Sequence, residues 1–421
     1  MITRRILNSY WPDGDGSTLT LDFTTGVLDP RLTFTRSTSG TYIGSDGLVK
    51  TMAAAPTNDP TKARFDYDPD TRAPRGLLLE GSSINLLLQS NDWNTTWNNP
   101  AAITWDGSTY ATAPDGTNTA KQITVTGGSS AAIGQAVATG TSRTMSVWLR
   151  AGTLTSFSIG AFDAGGTAWG TNADSTCSII SGPGSVTQQV GGLWSITGLS
   201  TTQWTRLQIF RSTTYTTFLA YPGSSSGTIN GTAFMWGMQM EAGNGASSLI
   251  VTGANTGNRA QDQMRMANLT SVNFNTAAGT MLVSGTYNRD ANAFPRSIRF
   301  MGSSVQSMAM ITAGKTLYGN APNTSGGAYF DTSRTLSGFG AFKYGFTMTT
   351  AANPALATAI VSINGAATSI TPLGQGAITN PTTLDFLYAA SLTSDYPSMA
   401  LSSLKYFPTA MTSAELNART T

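Results

Sequence analysis

The sequence predicts an all-β protein: two jelly-roll β-sandwich domains preceded by an extended N-terminal arm. Three observations carry this reading. Short runs in which apolar and polar residues alternate recur along the chain, the period of a strand with one buried face. Clusters of Gly, Asn, Asp, Ser and Pro separate these runs, as in sandwiches and barrels. Helical periodicity is confined to one short segment near the C-terminus.

In chain order, Thr144–Arg150 reads as a strand with Met145, Val147 and Leu149 on one face. Thr205–Arg211 places Leu207 and Ile209 together, and Phe234–Glu241 places Phe234, Trp236, Met238 and Met240 on one face. Ala359–Ile363 and the run ending at Ile370 flank Asn364-Gly365, a pair that tolerates the positive φ of a type I′ turn, so they form a hairpin. Ala400–Phe407 is a further strand, stopped by Pro408. Thr412 stands three residues before Glu415; that is the spacing of a capping box, which starts a short helix over about 413–419. The chain divides into 1–85, a Pro-, Asp- and Arg-rich arm that needs a partner surface; 86–253, one set of strands; and 254–421, a second set, entered through a polar connector over 254–269.

Composition excludes several chemistries. There is no histidine, so neither a Ser-His-Asp triad nor a His-ligated zinc or haem site can be built from this chain alone. The single cysteine, Cys177, excludes an intramolecular disulfide framework and reads as a small packing residue. The formal charge is +2 with no basic block, which argues against a nucleic-acid surface. Charged residues are 11%, against about 25% in an average globular protein. No stretch is apolar for long enough to insert in a membrane, and the first residues lack the apolar run of a signal peptide.

The segment Leu32-Thr-Phe-Thr-Arg-Ser-Thr-Ser-Gly-Thr-Tyr42, followed by Gly47-Leu-Val-Lys50, Ala63-Arg-Phe-Asp-Tyr-Asp68, Arg75-Gly-Leu-Leu-Leu-Glu80 and Asn85-Leu-Leu-Leu88, resembles tailed-bacteriophage virion proteins of the head-spike-fibre and tail-fibre-like family. Ala113-Pro-Asp-Gly-Thr117, Ser146-Val-Trp148 and Trp236–Glu241 are similar to a carbohydrate-binding-module jelly roll. Ser362-Ile-Asn-Gly365 and the segment from Tyr406 to Leu416 are similar to a concanavalin A/laminin-G jelly roll. The resemblance implies a structural component of a phage particle, made in the host cytoplasm and located in the virion. Its arm would join other virion proteins and sister subunits, a trimer being favoured, and its sandwiches would meet host-surface polysaccharide. Within that block Arg36, Arg64 and Asp66 read as residues of internal salt bridges or turns, and Glu241 as a satisfied core carboxylate.

Sugar sites combine flat aromatic faces with placed amides and carboxylates. Asn91–Asn99, with Trp93 and Trp97, followed by Trp105-Asp106, supplies both, and a Gly-rich loop with Asp163 and Trp169 is a second candidate. Each of these tryptophans, taken singly, fits a sandwich core as well. A structural calcium held by Asp and backbone oxygens is compatible with such folds, although no ligand set can be read here; no other cofactor is expected. Glycosidases use two carboxylates, one with a raised pKa. The three glutamates are Glu80, Glu241 and Glu415, the last committed to the helix cap, and no pair stands out among Asp163, Asp262, Asp290, Asp331, Asp385 and Asp395. The expectation is therefore a non-enzymatic glycan-binding protein of the virion. The alternatives are a virion-associated polysaccharide depolymerase and a bacterial surface lectin.

Overall fold

The computed structural model describes residues 14–92, 96–97, 102–129, 131–162, 175–189, 193–213, 215–290, 296–302, 306–313, 315–320, 332–349, 358–370, 380–387 and 397–421. It is built almost wholly of antiparallel strands, with one α-helix among the described residues. The middle sandwich packs the sheet Ser175–Ser181, Thr205–Arg211, Arg143–Ala151, Thr228–Ala242, Ala120–Ser129, Ile103–Ala111 against the sheet Ile133–Gly140, Tyr215–Pro222, Phe157–Phe162, Trp194–Thr197, Ser185–Gln188, each in spatial order. Its core joins Met145, Val147 and Leu149 to Phe157, Ile159, Leu207 and Ile209, the faces expected from alternation. Cys177 packs at the edge of this core, and burial pushes its thiol up to about 12, leaving little thiolate to react.

The other sandwich departs from the expected division. One of its sheets runs Ala366–Ile370, Thr358–Ile363, Gly340–Thr349, Ala278–Arg289, Ser398–Phe407, Pro74–Glu80, Arg64–Tyr67, with Leu19–Asp22 also on Ser398–Phe407. The facing sheet begins with Leu32–Thr35 beside Gln263–Met266. Residues 1–85 are therefore not an arm awaiting a partner: from Leu19 onward they supply strands to both sheets of the C-terminal sandwich. Leu19, Leu21, Phe23, Leu32, Phe34, Leu77 and Leu79 lie in one core with Met281, Phe346, Phe386 and Tyr406. The partner surface is the chain's own last third. The middle sandwich is an insertion in this outer one, closed at its neck by Ser83–Asn85 pairing with Gly257–Arg259. The expected polar connector 254–269 is likewise structured, contributing that neck strand and Gln263–Met266.

Other local expectations fare differently. The hairpin turn has φ of 48° at Asn364 and 77° at Gly365, as a type I′ turn requires. The helix Ser413–Thr420 has both hydrogen bonds of the capping box. Phe234, Trp236, Met238 and Met240 do not share a face. A bulge in Thr228–Ala242, where Gly237 adopts a φ of +64°, sends Phe234 and Trp236 to one side and Met238 and Met240 to the other. A bulge adds one residue and inverts the alternation beyond it. Gly237 allows it: a Cβ there would lie 2.6 Å from the Trp148 ring.

A buried ionic knot ties the parts together. Asp262 takes Arg36 Nη1 at 3.0 Å and Arg64 Nη2 at 2.6 Å on its two oxygens, and the Glu80 amide donates to it at 2.9 Å. Arg64 also pairs with Glu80 at 2.8 Å, and Arg259 reaches the same carboxylate at 3.3 Å. Ser248 of the middle sandwich donates to Glu80 through its amide and hydroxyl. Its neighbour Ser247 does the same for Glu241, which also faces Arg289 of the outer sandwich at 3.5 Å. Burial alone would raise the Glu80 carboxyl; the Arg259 and Arg64 guanidiniums and Ser248 override it and hold the group well below the usual range. These residues are essentially removed from solvent. Arg36, Arg64 and Glu241 thus have the internal roles expected of them.

Two outcomes test this architecture. Residues 86–253 expressed alone should unfold cooperatively by circular dichroism, whereas 254–421 alone should not, lacking the strands that complete both its sheets. Asp262→Asn should destabilise the full chain by about 3–5 kcal/mol in denaturant titration, because it strips a buried guanidinium pair of its counter-charge.

Candidate binding cleft between the sandwiches

Of the sequence-derived aromatic cluster, the described side chain is Trp97, and it belongs to the core. Trp97 is buried in the middle core, its ring edge-on to Phe218 with centroids 5.9 Å apart, and its indole N–H donates to the Leu88 carbonyl at 3.1 Å. It fills the sandwich and offers no platform to a sugar. Trp105 and Asp106 lie in the edge strand Ile103–Ala111, with Trp105 opposite Ile123. Trp93, Asp163 and Trp169 lie outside the described residues.

A cleft of about 860 Å³ opens instead where the two sandwiches and the N-terminal segments meet. Its roof is the hairpin Gly40–Ile43 with Val49–Met52, held to the middle sandwich by Thr41 Oγ1 donating to the Leu249 carbonyl at 2.6 Å and the Val49 amide to Pro114. One wall is the outer face of the middle sandwich, carrying Trp148 and Arg150 on one strand, Arg206 and Gln208 on the next, and Trp204 just before it. The opposite wall brings Tyr287, Phe339 and Lys315 from the outer sandwich. The loop bearing Asp70 and Arg72 closes one end, Asp70 accepting from the Gly182 amide at 3.0 Å.

The first wall is built from arginines laid on aromatic rings. The Arg206 guanidinium lies 4.2 Å from the Trp148 ring centroid, and that ring meets Trp236 edge-on at 5.4 Å. Arg150 lies 4.6 Å from Phe234 and 5.2 Å from Trp204, whose indole N–H donates to the Thr112 carbonyl. Cross-strand register explains the pairing, since Trp148 is opposite both Arg206 and Trp236, and Arg150 is opposite Phe234. Burial pulls the Arg206 guanidinium down to about 10, with the more distant Glu241, Glu80 and Asp66 charges opposing.

Asp66 borders the same space. Burial pushes its carboxyl up to about 6; the Ile43 amide, donating at 2.8 Å, and Arg75, at 3.9 Å, pull the other way, while the Glu80 charge adds to the rise. Glu80 itself is committed to two guanidiniums. Of the aspartates weighed for catalysis, Asp262 belongs to the knot, Asp385 pairs with Arg265 and Arg299, and Asp290 accepts from the Tyr287 hydroxyl and the Lys315 amide. Asp163, Asp331 and Asp395 lie outside the described residues. Among the described residues no group of three or more Cys, Asp or Glu gathers as a metal site.

Sequence reasoning missed this cleft because its residues come from many separate stretches, from Thr41 to Ser398. Ser146-Val-Trp148 was legible as a strand, but nothing local marks the face of Trp148 and Arg150 as an inter-sandwich wall. A usable signal was the pair of arginines, Arg150 and Arg206, ending or opening aromatic-flanked strands without a nearby acidic residue in the sequence.

The Asp66 titration has a definite sign. A carboxyl with a raised folded pKa favours folding while protonated, so its contribution is full below about 3.8 and is lost as pH rises through about 6. Asp66→Asn should therefore gain on the wild type by about 2 kcal/mol between pH 4 and pH 7.5 in parallel denaturant titrations. Glu80 acts oppositely and in a lower window, its stabilisation disappearing only as pH falls below 4.5.

No protein-family model matches the chain, and no curated protein matches it. Among solved structures it is similar to the botulinum neurotoxin serotype D binding domain, at 10% identity over 37% of this chain and 40% of that one, with a TM-score of 0.29. It is similar to the Ruminococcus gnavus IT-sialidase CBM40 bound to α2,3-sialyllactose, at 14% identity over 35% of this chain and 84% of that one, TM-score 0.25. The botulinum neurotoxin type G receptor binding domain matches at 9% identity over 81% of this chain and 51% of that one, TM-score 0.22.

Proposed function

We propose that the protein is a structural component of a bacteriophage particle and that its inter-sandwich cleft binds polysaccharide of the host surface without cleaving it. The observation that carries the binding half is the cleft itself: about 860 Å³, at the junction of two β-sandwiches, walled by supported aromatic and guanidinium groups. Junctions of this kind are favoured ligand sites. The virion half rests on the N-terminal sequence block that resembles head-spike and tail-fibre proteins. In the particle the chain would contact other virion proteins and its own copies, a trimer being the proposed assembly. That contact belongs to outer surfaces, since the N-terminal segment from Leu19 is spent on the chain's own sheets.

A depolymerase needs a protonated carboxyl and a second, ionised one across the scissile bond. Asp66 meets the first requirement. Glu80 is neutralised by Arg64 and Arg259, and Asp70 is turned to the Gly182 amide. Binding is the better fit to that arrangement.

Purified full-length protein should bind capsular or lipopolysaccharide fractions of the host weakly, on the order of 0.1–1 mM per site, and release no reducing ends or unsaturated sugars. Display in many copies would then supply about 10²–10⁴ in avidity. Trp204→Ala should weaken binding at least about tenfold with the circular dichroism spectrum unchanged, because it removes an exposed edge of the wall and the platform under Arg150. Gold-labelled antibody on intact particles tests the location; absence of label on the particle overturns the virion assignment.

A further inference from the structure

We infer that the cleft selects acidic saccharides, sugar rings bearing a carboxylate or a sulfate, through Arg150 and Arg206. The inference rests on the reading that the cleft binds glycan. It starts from what these two arginines lack. Arg150 sits between Trp204 and Phe234, and among the described residues its guanidinium has neither hydrogen bond nor ion pair; its Nε is buried without a partner. Arg206 donates from Nη2 to Ser146 Oγ at 3.2 Å and to the Ser247 carbonyl at 2.8 Å, but its Nε is also buried and unpartnered, and no carboxylate pairs with it. Arg64 and Arg259 also leave Nε unbonded, but with Arg36 they share the carboxylates of Asp262 and Glu80; it is the carboxylate that Arg150 and Arg206 lack. Both side chains are half-buried, and a guanidinium partly withdrawn from water without a counter-charge is costly, so two on one wall of the cleft favour an anionic ligand.

The geometry favours an oxyanion over a neutral hydroxyl. The Arg150 guanidinium, over aromatic rings and without a hydrogen bond of its own, can offer its planar N–H fork to a carboxylate or sulfate; Arg206, whose Nη2 is held by Ser146 and Ser247, adds Nη1. The two arginines stand on adjacent strands at a diagonal: Arg206 is opposite Trp148, and Arg150 is two residues further along that strand. Such positions are about 7–8 Å apart at Cα, a separation that a single charged sugar ring can bridge. The remaining charges of the cleft do not cancel them. Arg75 is occupied by Asp68 at 2.7 Å, Asp46 by Lys50 at 2.7 Å and Glu80 by the knot. Asp66 accepts from the Ile43 amide and faces Arg75 at 3.9 Å, and Asp70 accepts from the Gly182 amide. On the far wall Lys315, over the Phe339 ring, adds a further cation.

The test uses the full chain on an array carrying dextran, dextran sulfate, hyaluronan and alginate, read at low and at high salt. Wild type should bind an acidic polymer at least about tenfold more tightly than dextran, with the difference shrinking as salt screens it. Arg150→Gln and Arg206→Gln should each bring the ratio of acidic-polymer to dextran affinity close to one. Dextran sulfate against hyaluronan and alginate decides between sulfate and carboxylate as the source of the charge. If a Gln variant fails to fold, Arg150→Lys and Arg206→Lys, which keep the charge but lose the planar fork, should still cut the preference severalfold. Equal binding of dextran and the acidic polymers overturns the inference and leaves the glycan-binding reading standing. Binding of none of the four, together with none of the host fractions, removes both.

Discussion

The structure depends on one buried electrostatic arrangement: two carboxylates, Asp262 and Glu80, shared among three guanidiniums that solvent does not reach. Its members come from segments far apart in the chain: Arg36, Arg64 and Glu80 before the inserted sandwich, Arg259 and Asp262 after it. Ser247 and Ser248, at the insertion's own end, complete the coordination. Charges taken out of water this fully are tolerated only when every partner is in place. The knot can therefore form in one way only, with the neck of the insertion closed, and it fixes how the middle sandwich is held by the outer one. An apolar plug of the same volume would fill the space but would not specify which three segments meet there.

This also explains what could be read in the sequence. Strands whose two faces differ were legible, because period two is a local property: Thr205–Arg211 and the Asn364-Gly365 hairpin appear where the alternation and the turn chemistry put them. The helix was legible because its capping box spans only four residues, Thr412 to Glu415. Pairing was not. Leu19–Asp22 shows two apolar residues in four, too little to call a core strand, and it becomes one only beside Tyr406 and Leu404, nearly four hundred residues later. Arg259 and Asp262 looked like a polar connector because polar residues signal solvent unless a partner is known. Their partners lie about two hundred residues upstream. The bulge at Gly237 shows the complementary failure, a strand correctly placed but with its outer half facing the other way.

The candidate site follows the same logic. The tryptophans singled out from sequence were chosen for clustering along the chain, yet Trp97 serves the core. The tryptophans that border the cleft, Trp148 and Trp204, are separated by more than fifty positions and reach one wall from neighbouring segments of the sheet. They do not present bare faces. Each carries a guanidinium over its ring, so on this wall the surface offered to a ligand is in part cationic. That changes the expected chemistry from stacking on the apolar side of a pyranose to hydrogen bonding with an oxyanion.

The knot and the cleft are consequently one device seen from two sides. Glu80 belongs to both, with its carboxylate in the knot and its residue on the cleft wall, and Ser247 joins them again by accepting from Arg259 through its hydroxyl and from Arg206 through its carbonyl. A ligand that touches Arg150 and Arg206 on the inserted sandwich and Lys315 on the outer one needs both held at a fixed spacing. The buried ion pairs provide that spacing before any ligand arrives. Preorganisation of this kind lowers the ordering cost of binding, which counts most where each individual contact is weak.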